Sequence, residues 1–340
     1  MNRKYFPVLR WKDGEKTALT NLPNNLRSKI TPIIEVVPHN KKSNKDVMET
    51  LVDFLEGNYS GHEVFIDGSY LKKWSLKDTI ECLENTRTLF GTNAIPIINY
   101  QEDKDTNWEK LNLDEIGLRV QMKDAMPLDF LDLAVADISE KANVELKDIV
   151  LILDYKISDF DVTKTIEIIN GFNKAQKVKS VVLISGAYPA SLAGYSVEEI
   201  HEFARKDWEL WEEVENGTEY RLDYGDYGVR YPIYNPPKNA RPTFSVGYTG
   251  NNKWFVFRGL PLTVDGSQGF KQFIAHAVRI SSHEEYKGAD FSYGDAFIKE
   301  KSEMIGLDEE DIKTGGLSCW IGATTNHHIH LVNEQLEKTA

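Results

Sequence analysis

Cysteine is almost missing from this 340-residue chain: Cys82 and Cys319 stand far apart, and neither belongs to a C-x-x-C pair. That excludes a disulfide framework and a zinc ribbon, and fits a reducing compartment such as the cytoplasm. Long apolar runs are lacking too. No stretch approaches the roughly 20 residues of a membrane span, and the opening MNRKYFPVLRWKDGEK has no apolar core of a secretory signal. Positive charge is short: 40 Lys and Arg face 53 Asp and Glu, for a net charge of −13 and a pI near 5.2. With no Lys/Arg-rich run, generic binding to DNA or RNA is disfavoured. A single cleft can differ from that average, so a nucleotide-sized phosphate ligand stays compatible. The acids form no long block, which argues against a DNA mimic. G-x-S-x-G, Walker A, G-x-G-x-x-G and H-E-x-x-H are all absent, so lipase-like, P-loop, dinucleotide-binding and zincin chemistry lack their signatures.

What is present is ample core material, 41% hydrophobic and 11% aromatic residues, and a repeated alternation. Apolar runs rich in Val, Ile and Leu fall at Tyr5 to Trp11, Pro32 to Val37, Glu63 to Asp67, Ala94 to Tyr100, Leu118 to Lys123, Ile149 to Tyr155, Ser180 to Ser185 and Tyr220 to Tyr227. Amphipathic segments lie between them, at the spacing of βα units. Ser43-x-x-Asp46, Ser75-x-x-Asp78 and Ser196-x-x-Glu199 are helix-start patterns. Leu76, Ile80 and Leu83 share a helical face, as do Val162, Ile166, Ile169 and Phe172, while Gly91 and Gly171 stand near the expected helix ends. Eight such runs predict an α/β fold of the (β/α)₈ TIM-like barrel type, with a flavodoxin-like open sheet as the rival.

The pattern changes after residue 235, giving a barrel-like core over 1–235 and a C-terminal part over 236–340 that packs on the barrel and completes it. Asn235-Pro-Pro-Lys is loop chemistry. Thr243 to Tyr248 and Lys253 to Arg258 read as a β-hairpin whose Gly250 and asparagines supply positive φ. Gln268 to Ile280 and Cys319 to Leu336 read as helices. Either Tyr220 to Tyr227 or Trp254 to Phe257 can be the eighth barrel strand.

A barrel's functional mouth lies at the C-terminal ends of its strands. Those ends carry Arg10 and Lys12, Glu35, Asp67, Asn99, Gln121 and Lys123, Asp154, Ser185, and Asp223 with Asp226. The acids Glu35, Asp67, Asp154 and Asp223 are candidates for general acid/base work or for holding a hard cation, Mg²⁺ or Mn²⁺, with Arg10 and Lys12 on an anion. Set against this, charged residues ordinarily end strands where the chain meets solvent. In Asn326-His-His-Ile-His330, His327 and His328 point about 100° apart on a helix, so structural roles compete with a metal. Gly288 to Asp295 reads as a polar turn, either facing a ligand through Ser292 or stabilised by its own side chains. Trp208 and Trp211 read as helix-face packing.

Tyr5-Phe-Pro-Val-Leu-Arg-Trp-Lys with Gly14-Glu-Lys, Ile30-Thr-Pro-Ile-Ile-Glu35, Trp254 to Gly259, Phe291-Ser-Tyr-Gly-Asp295, and Trp320 followed by His327-His328 resemble the "beta protein" family of phage and bacterial mobile elements. The resemblance spans nearly the whole chain. It implies a phage or mobile-element setting, in antiphage defence or its evasion, and no established activity. It adds Arg258, Ser292, Asp295, His327 and His328 to Arg10, Lys12 and Glu35 as site candidates. Where family members tend to carry Arg before the tyrosine of the hairpin, this chain has Gly247 before Tyr248, which weakens an anion-binding role there. Two functions follow as expectations: a barrel-mouth hydrolase or phosphodiesterase acting on a phosphorylated small molecule or nucleotide, or a regulatory module that binds another protein.

Overall fold

The computed structural model describes residues 3–90, 93–103, 113–235, 244–261, 264–265, 267–308 and 310–339, and the side chains of these except 85–90. Eight parallel strands close into a barrel. They are β1 Tyr5–Arg10, β2 Ile33–Glu35, β3 Glu63–Asp67, β4 Asn93–Asn99, β5 Ile116–Gln121, β6 Ile149–Ile157, β7 Ser180–Gly186 and, past an outlying strand β8 (Ile200–Ala204), β9 Asp223–Asp226. Because β9 pairs with both β7 and β1, the sheet has no edge and the open-sheet rival is ruled out. The Tyr220 region therefore supplies the eighth strand.

Helices α1 Asp13–Thr20, α2 Asn24–Arg27, α3 Asn44–Asn58, α4 Leu76–Phe90, α5 Tyr100–Asp103, α6 Phe130–Ala142, α7 Val162–Asn170 and α8 Lys206–Gly217 lie between the strands. Ser43 forms a full capping box with Asp46, and Ser75 with Asp78 repeats it. Ser196-x-x-Glu199 does not: β8 follows it, and the helix starts only at Lys206. Gly91 lies outside the described residues, as do 236–238 of the expected loop and Thr243.

The two-residue period of the strands sorts their side chains into two cores. Phe6, Val8, Ile33, Phe65, Ile95, Ile97, Val150, Ile152, Val182 and Ile184 fill the barrel interior. Their neighbours, including Leu9, Ile34, Ile66, Ile98, Leu118, Val120, Leu151 and Leu183, face the helices. By the same parity Arg10, Glu35, Asp67, Asn99, Arg119 and Asp154 stand on the inward face, one step above the apolar filling.

The C-terminal part comprises β10 Val246–Thr249, β11 Lys253–Phe257, α9 Gln272–Ser281, α10 Tyr293–Ser302 and α11 Leu317–Lys338. β10 and β11 form the expected hairpin, but its turn needs no positive φ. A Cβ on Gly250 would stand 2.5 Å from the Phe255 ring, so close approach is what requires glycine there. β8 pairs with the outer side of β11, so this small sheet draws strands from both sides of residue 235. Helix α11 takes the place of the eighth barrel helix. Its N-terminal end lies at the mouth, and its C-terminal end meets the base of β1, where Arg3 Nη1 donates to the Thr339 carbonyl at 2.6 Å. It crosses α1 closely enough that a Cβ on Gly322 would stand 3.0 Å from the Gly14 carbonyl oxygen.

Candidate functional site at the barrel mouth

Glu35 and Asp67 end β2 and β3 on the inward face, Asp154 stands just before the bulge near the end of β6, and Glu35 and Asp67 are direct neighbours in the β2–β3 register. Like charges so placed repel unless a cation joins them. Arg119, from the middle of β5, does so. Its Nη1 donates to Asp67 Oδ2 at 2.6 Å, its Nη2 to Glu35 Oε1 at 3.0 Å, and its Nε to Asp154 Oδ2 at 2.8 Å. The Tyr227 hydroxyl accepts from Nη2 and donates to Asp154 Oδ2 at 2.7 Å. Lys156 Nζ lies 3.3 Å from both Glu35 and Asp154, and Arg10 Nε 3.8 Å from Glu35. Asn99 donates to Asp67 Oδ1 at 3.1 Å. Three anions thus meet three cations, and all four members of the Arg119 cluster are at most 3% exposed.

This arrangement fixes protonation. Burial pushes the Asp154 carboxyl up, but Lys156 and Arg119 outweigh it and hold it down at about 2. Asp67 is likewise held low against burial, chiefly by Arg119. Burial and Arg119 oppose the Lys156 charge, while Asp154 and Glu35 keep it firmly protonated. Lys156 also sits at φ 61, a left-handed backbone that lysine seldom adopts, where β6 bulges. Neither Asp67 nor Asp154 has a proton to give near neutral pH, and where the sequence suggested Mg²⁺ or Mn²⁺ a guanidinium stands instead. Among the described residues no group of three or more His, Cys, Asp or Glu is placed to hold a metal. Asp103, on the turn after β4, differs: burial pushes its carboxyl up to about 6, with the Asn99 backbone N–H opposing.

Beside this cluster the loops after β1, β2 and β9 and the start of α11 enclose a cleft of about 680 Å³. Lys12, Lys16, Lys41, Lys42 and Arg230 line it, with Asp13, His39 and Thr50, and its apolar wall includes Trp11, Val37, Pro38, Val47 and Ile321. Lys12 is half-buried beside Tyr234, whose ring also stacks under Arg10. Burial, then Arg230 and Arg10 nearby, push the Lys12 ammonium below its ordinary range. Glu15, buried behind the wall, pairs with Arg230 at 2.6 Å, and desolvation raises its carboxyl. Among the described residues no carboxylate lies within ion-pairing distance of Lys12, Lys16, Lys41 or Lys42.

The remaining candidates lie elsewhere. Asp223 opens β9 instead of closing it, because that strand is only four residues long. It therefore sits at the barrel floor, accepting from the Lys4 backbone N–H at 2.8 Å. Asp226, one step before Tyr227, faces outward. His328 Nε2 meets its Oδ2 at 2.8 Å, and Tyr5 and Tyr224 donate to it at 2.7 and 2.9 Å. His328 also stacks on Trp254, and Thr249 Oγ1 lies 3.1 Å from its Nδ1. His327 meets Asp295 and the Thr249 carbonyl, each at 2.8 Å, under the Tyr248 ring. Ser292 is the N-cap of α10 and accepts from the Asp295 N–H, so the polar turn read in the sequence is a helix start. Ser292, Asp295, His327 and His328 are buried at the joint between α11, the small sheet and the barrel wall, away from the mouth. Arg258 follows β11 in that sheet, bonded through its backbone to residues 198 and 199. Trp208 and Trp211 pack on Tyr224, as helix-face residues should.

Arg119 escaped the reading of strand ends because it stands two residues inside β5. Its signal was present: a lone charge among Ile116-Gly-Leu-Arg-Val120, on the inward parity.

A family model described as Beta protein matches residues 5–334. No curated protein matches the chain. Among solved structures, the YdjI aldolase from Escherichia coli K12 is similar over 98% of this chain and 91% of its own, with 10% identity and a TM-score of 0.38. A mutant tryptophan synthase alpha-subunit from Pyrococcus furiosus is similar over 68% and 80%, with 11% identity and a TM-score of 0.32. Mycobacterium tuberculosis tryptophan synthase is similar over 96% and 93%, with 11% identity and a TM-score of 0.31. Likenesses this distant carry no argument about chemistry. Among the described residues no helix is long and apolar enough to cross a membrane.

Proposed function

This chain belongs to the Beta protein family, and from that premise and the mouth geometry we propose that it binds a phosphate-bearing small molecule in the cleft beside the Arg119 cluster. One observation carries the reading: Lys12 is half-buried between Arg10 and Arg230 with no acid within ion-pairing distance among the described residues, and Glu15, which favours its charge, is itself paired with Arg230. A desolvated ammonium next to two guanidiniums is unfavourable until an anion joins them. The net charge of −13 makes such a cationic concavity all the more distinct. What supports binding over hydrolysis is that Glu35, Asp67 and Asp154 are all committed to Arg119, which holds Asp67 and Asp154 in the ionised form. The setting in phage–host conflict rests on family membership alone.

Calorimetric titration of the full chain with pyrophosphate, repeated for Lys12→Ala and Arg230→Ala, tests this. Saturable binding that weakens at least tenfold in both variants is expected, and falls with added salt as exposed charge contacts do. An absence of binding, or equal binding by all three proteins, would count against the proposal.

A further inference from the structure

Resting on that reading, we infer that the ligand is a nucleoside di- or triphosphate, held by a chain of phosphates across the lysines with its base on the apolar wall. Glu15 neutralises Arg230, and Asp13 offsets one further cation of the cleft. The remaining lysine charge exceeds what a single phosphate monoester brings, about 1.5 to 2 negative charges at neutral pH. A second, adjacent phosphate makes up the difference. The cations are also spread over two loops. Lys12 and Lys16 flank the start of α1, whereas Lys41 and Lys42 come from the β2–α3 loop and are exposed at the rim.

The α1 terminus adds to the deep end. Its N-cap residue is Lys12, whose side chain makes no capping bond, and its first-turn residues Asp13 and Gly14 line the cleft. The N–H groups of a helix's first turn favour a phosphate oxygen. The apolar part of the lining is Val37, Pro38, Val47 and Ile321 with Trp11, over whose ring the Lys16 ammonium sits at 5.8 Å, too apolar a surface for a fully hydroxylated sugar phosphate. The volume of about 680 Å³ lies inside the range of roughly 300–1,000 Å³ typical of small-molecule sites.

The test is a calorimetric panel on the full chain: the four common nucleoside diphosphates, their monophosphates, and pyrophosphate, with a Lys41→Ala/Lys42→Ala double variant. At least one diphosphate is expected to bind tenfold more tightly than its monophosphate and than pyrophosphate. The double variant, changed only at exposed positions, should weaken that diphosphate at least fivefold and its monophosphate less than twofold. If diphosphates and monophosphates bind alike, the inference falls while the phosphate-binding reading stands. If pyrophosphate matches every nucleotide, the apolar seat is refuted. Should neither nucleotides nor pyrophosphate bind, both fall together.

Discussion

Asp226 and Tyr227 are consecutive, yet their side chains leave β9 on opposite faces and join two different buried networks. Inward, Tyr227 belongs to the mouth cluster of Arg119, Glu35, Asp67 and Asp154, which borders an open cationic cleft through Lys156, Arg10 and Lys12. Outward, Asp226 belongs to a joint of His328, Tyr5 and Tyr224 that continues through Thr249 to His327, Asp295 and Tyr248. In the outer joint the rings stack and the carboxylates accept from tyrosines and histidines, so it fastens the C-terminal helices to the barrel. The inner one has its charges balanced at depth and unbalanced toward solvent. Similar residue types therefore serve as a fastening on one side of a wall and as the floor of a site on the other.

The severest way to break the comparison is at its inner centre. Arg119→Met should remove about 3–5 kcal/mol of stability, since it leaves Asp67 without its cation and Glu35 and Asp154 with only the longer contacts to Lys156 and Arg10, and urea unfolding measures the loss. Arg119→Lys should recover little of it, because an ammonium lacks the fork that reaches three acids. A loss below about 1 kcal/mol would mean the cluster is not the keystone described.

Breaking the outer joint comes next. His328→Ala should lose about 2–4 kcal/mol through an unpaired Asp226 and a lost stacking surface, while pyrophosphate binding by the folded protein stays within twofold of the original. A variant that kept its stability and lost binding would move the site to the joint.

Acid should leave both networks intact while it loosens the C-terminal helices around them. Burial depresses His276, bonded to the Phe244 carbonyl in the C-terminal part, to about 4, and His330 on α11 likewise. Both are held neutral in the fold, so their contribution is whole above the unfolded value near 6.5 and is lost as pH falls toward 4, by about 3 kcal/mol for His276 and less for the more exposed His330. Asp154 and Asp226, depressed to about 2, keep their contribution down to about pH 4 and lose it below. Hydrogen exchange at pH 5 should thus loosen α9 and α11 before β5 and β6; the reverse order would contradict the assignment.

Much of the fold was legible because apolar strands covered on both faces announce themselves, and because Ser43 and Ser75 carry their own caps. The outlying strand was not, since Ile200 to Ala204 depends on pairing with β11, about 50 residues away. Ser292-x-x-Asp295 repeats the pattern of Ser43 and Ser75, but the loop residues around it masked a helix start. At the mouth, strand-end parity brought Glu35, Asp67, Asn99 and Asp154 together. Neither Arg119 as their partner nor Lys41, Lys42 and Arg230 in the cleft follows from strand ends alone, because long side chains and loops meet only in three dimensions.

Lys12→Ala bears most directly on the difference between the two networks, through unfolding in urea with and without saturating pyrophosphate. Without it the variant should be as stable as the original or up to about 1 kcal/mol more so, since a crowded cation has gone. With probe at about 100 times its dissociation constant the original should gain about 2.7 kcal/mol and the variant far less. A variant that is less stable alone yet gains equally from pyrophosphate would show that Lys12 holds the fold together and binds nothing.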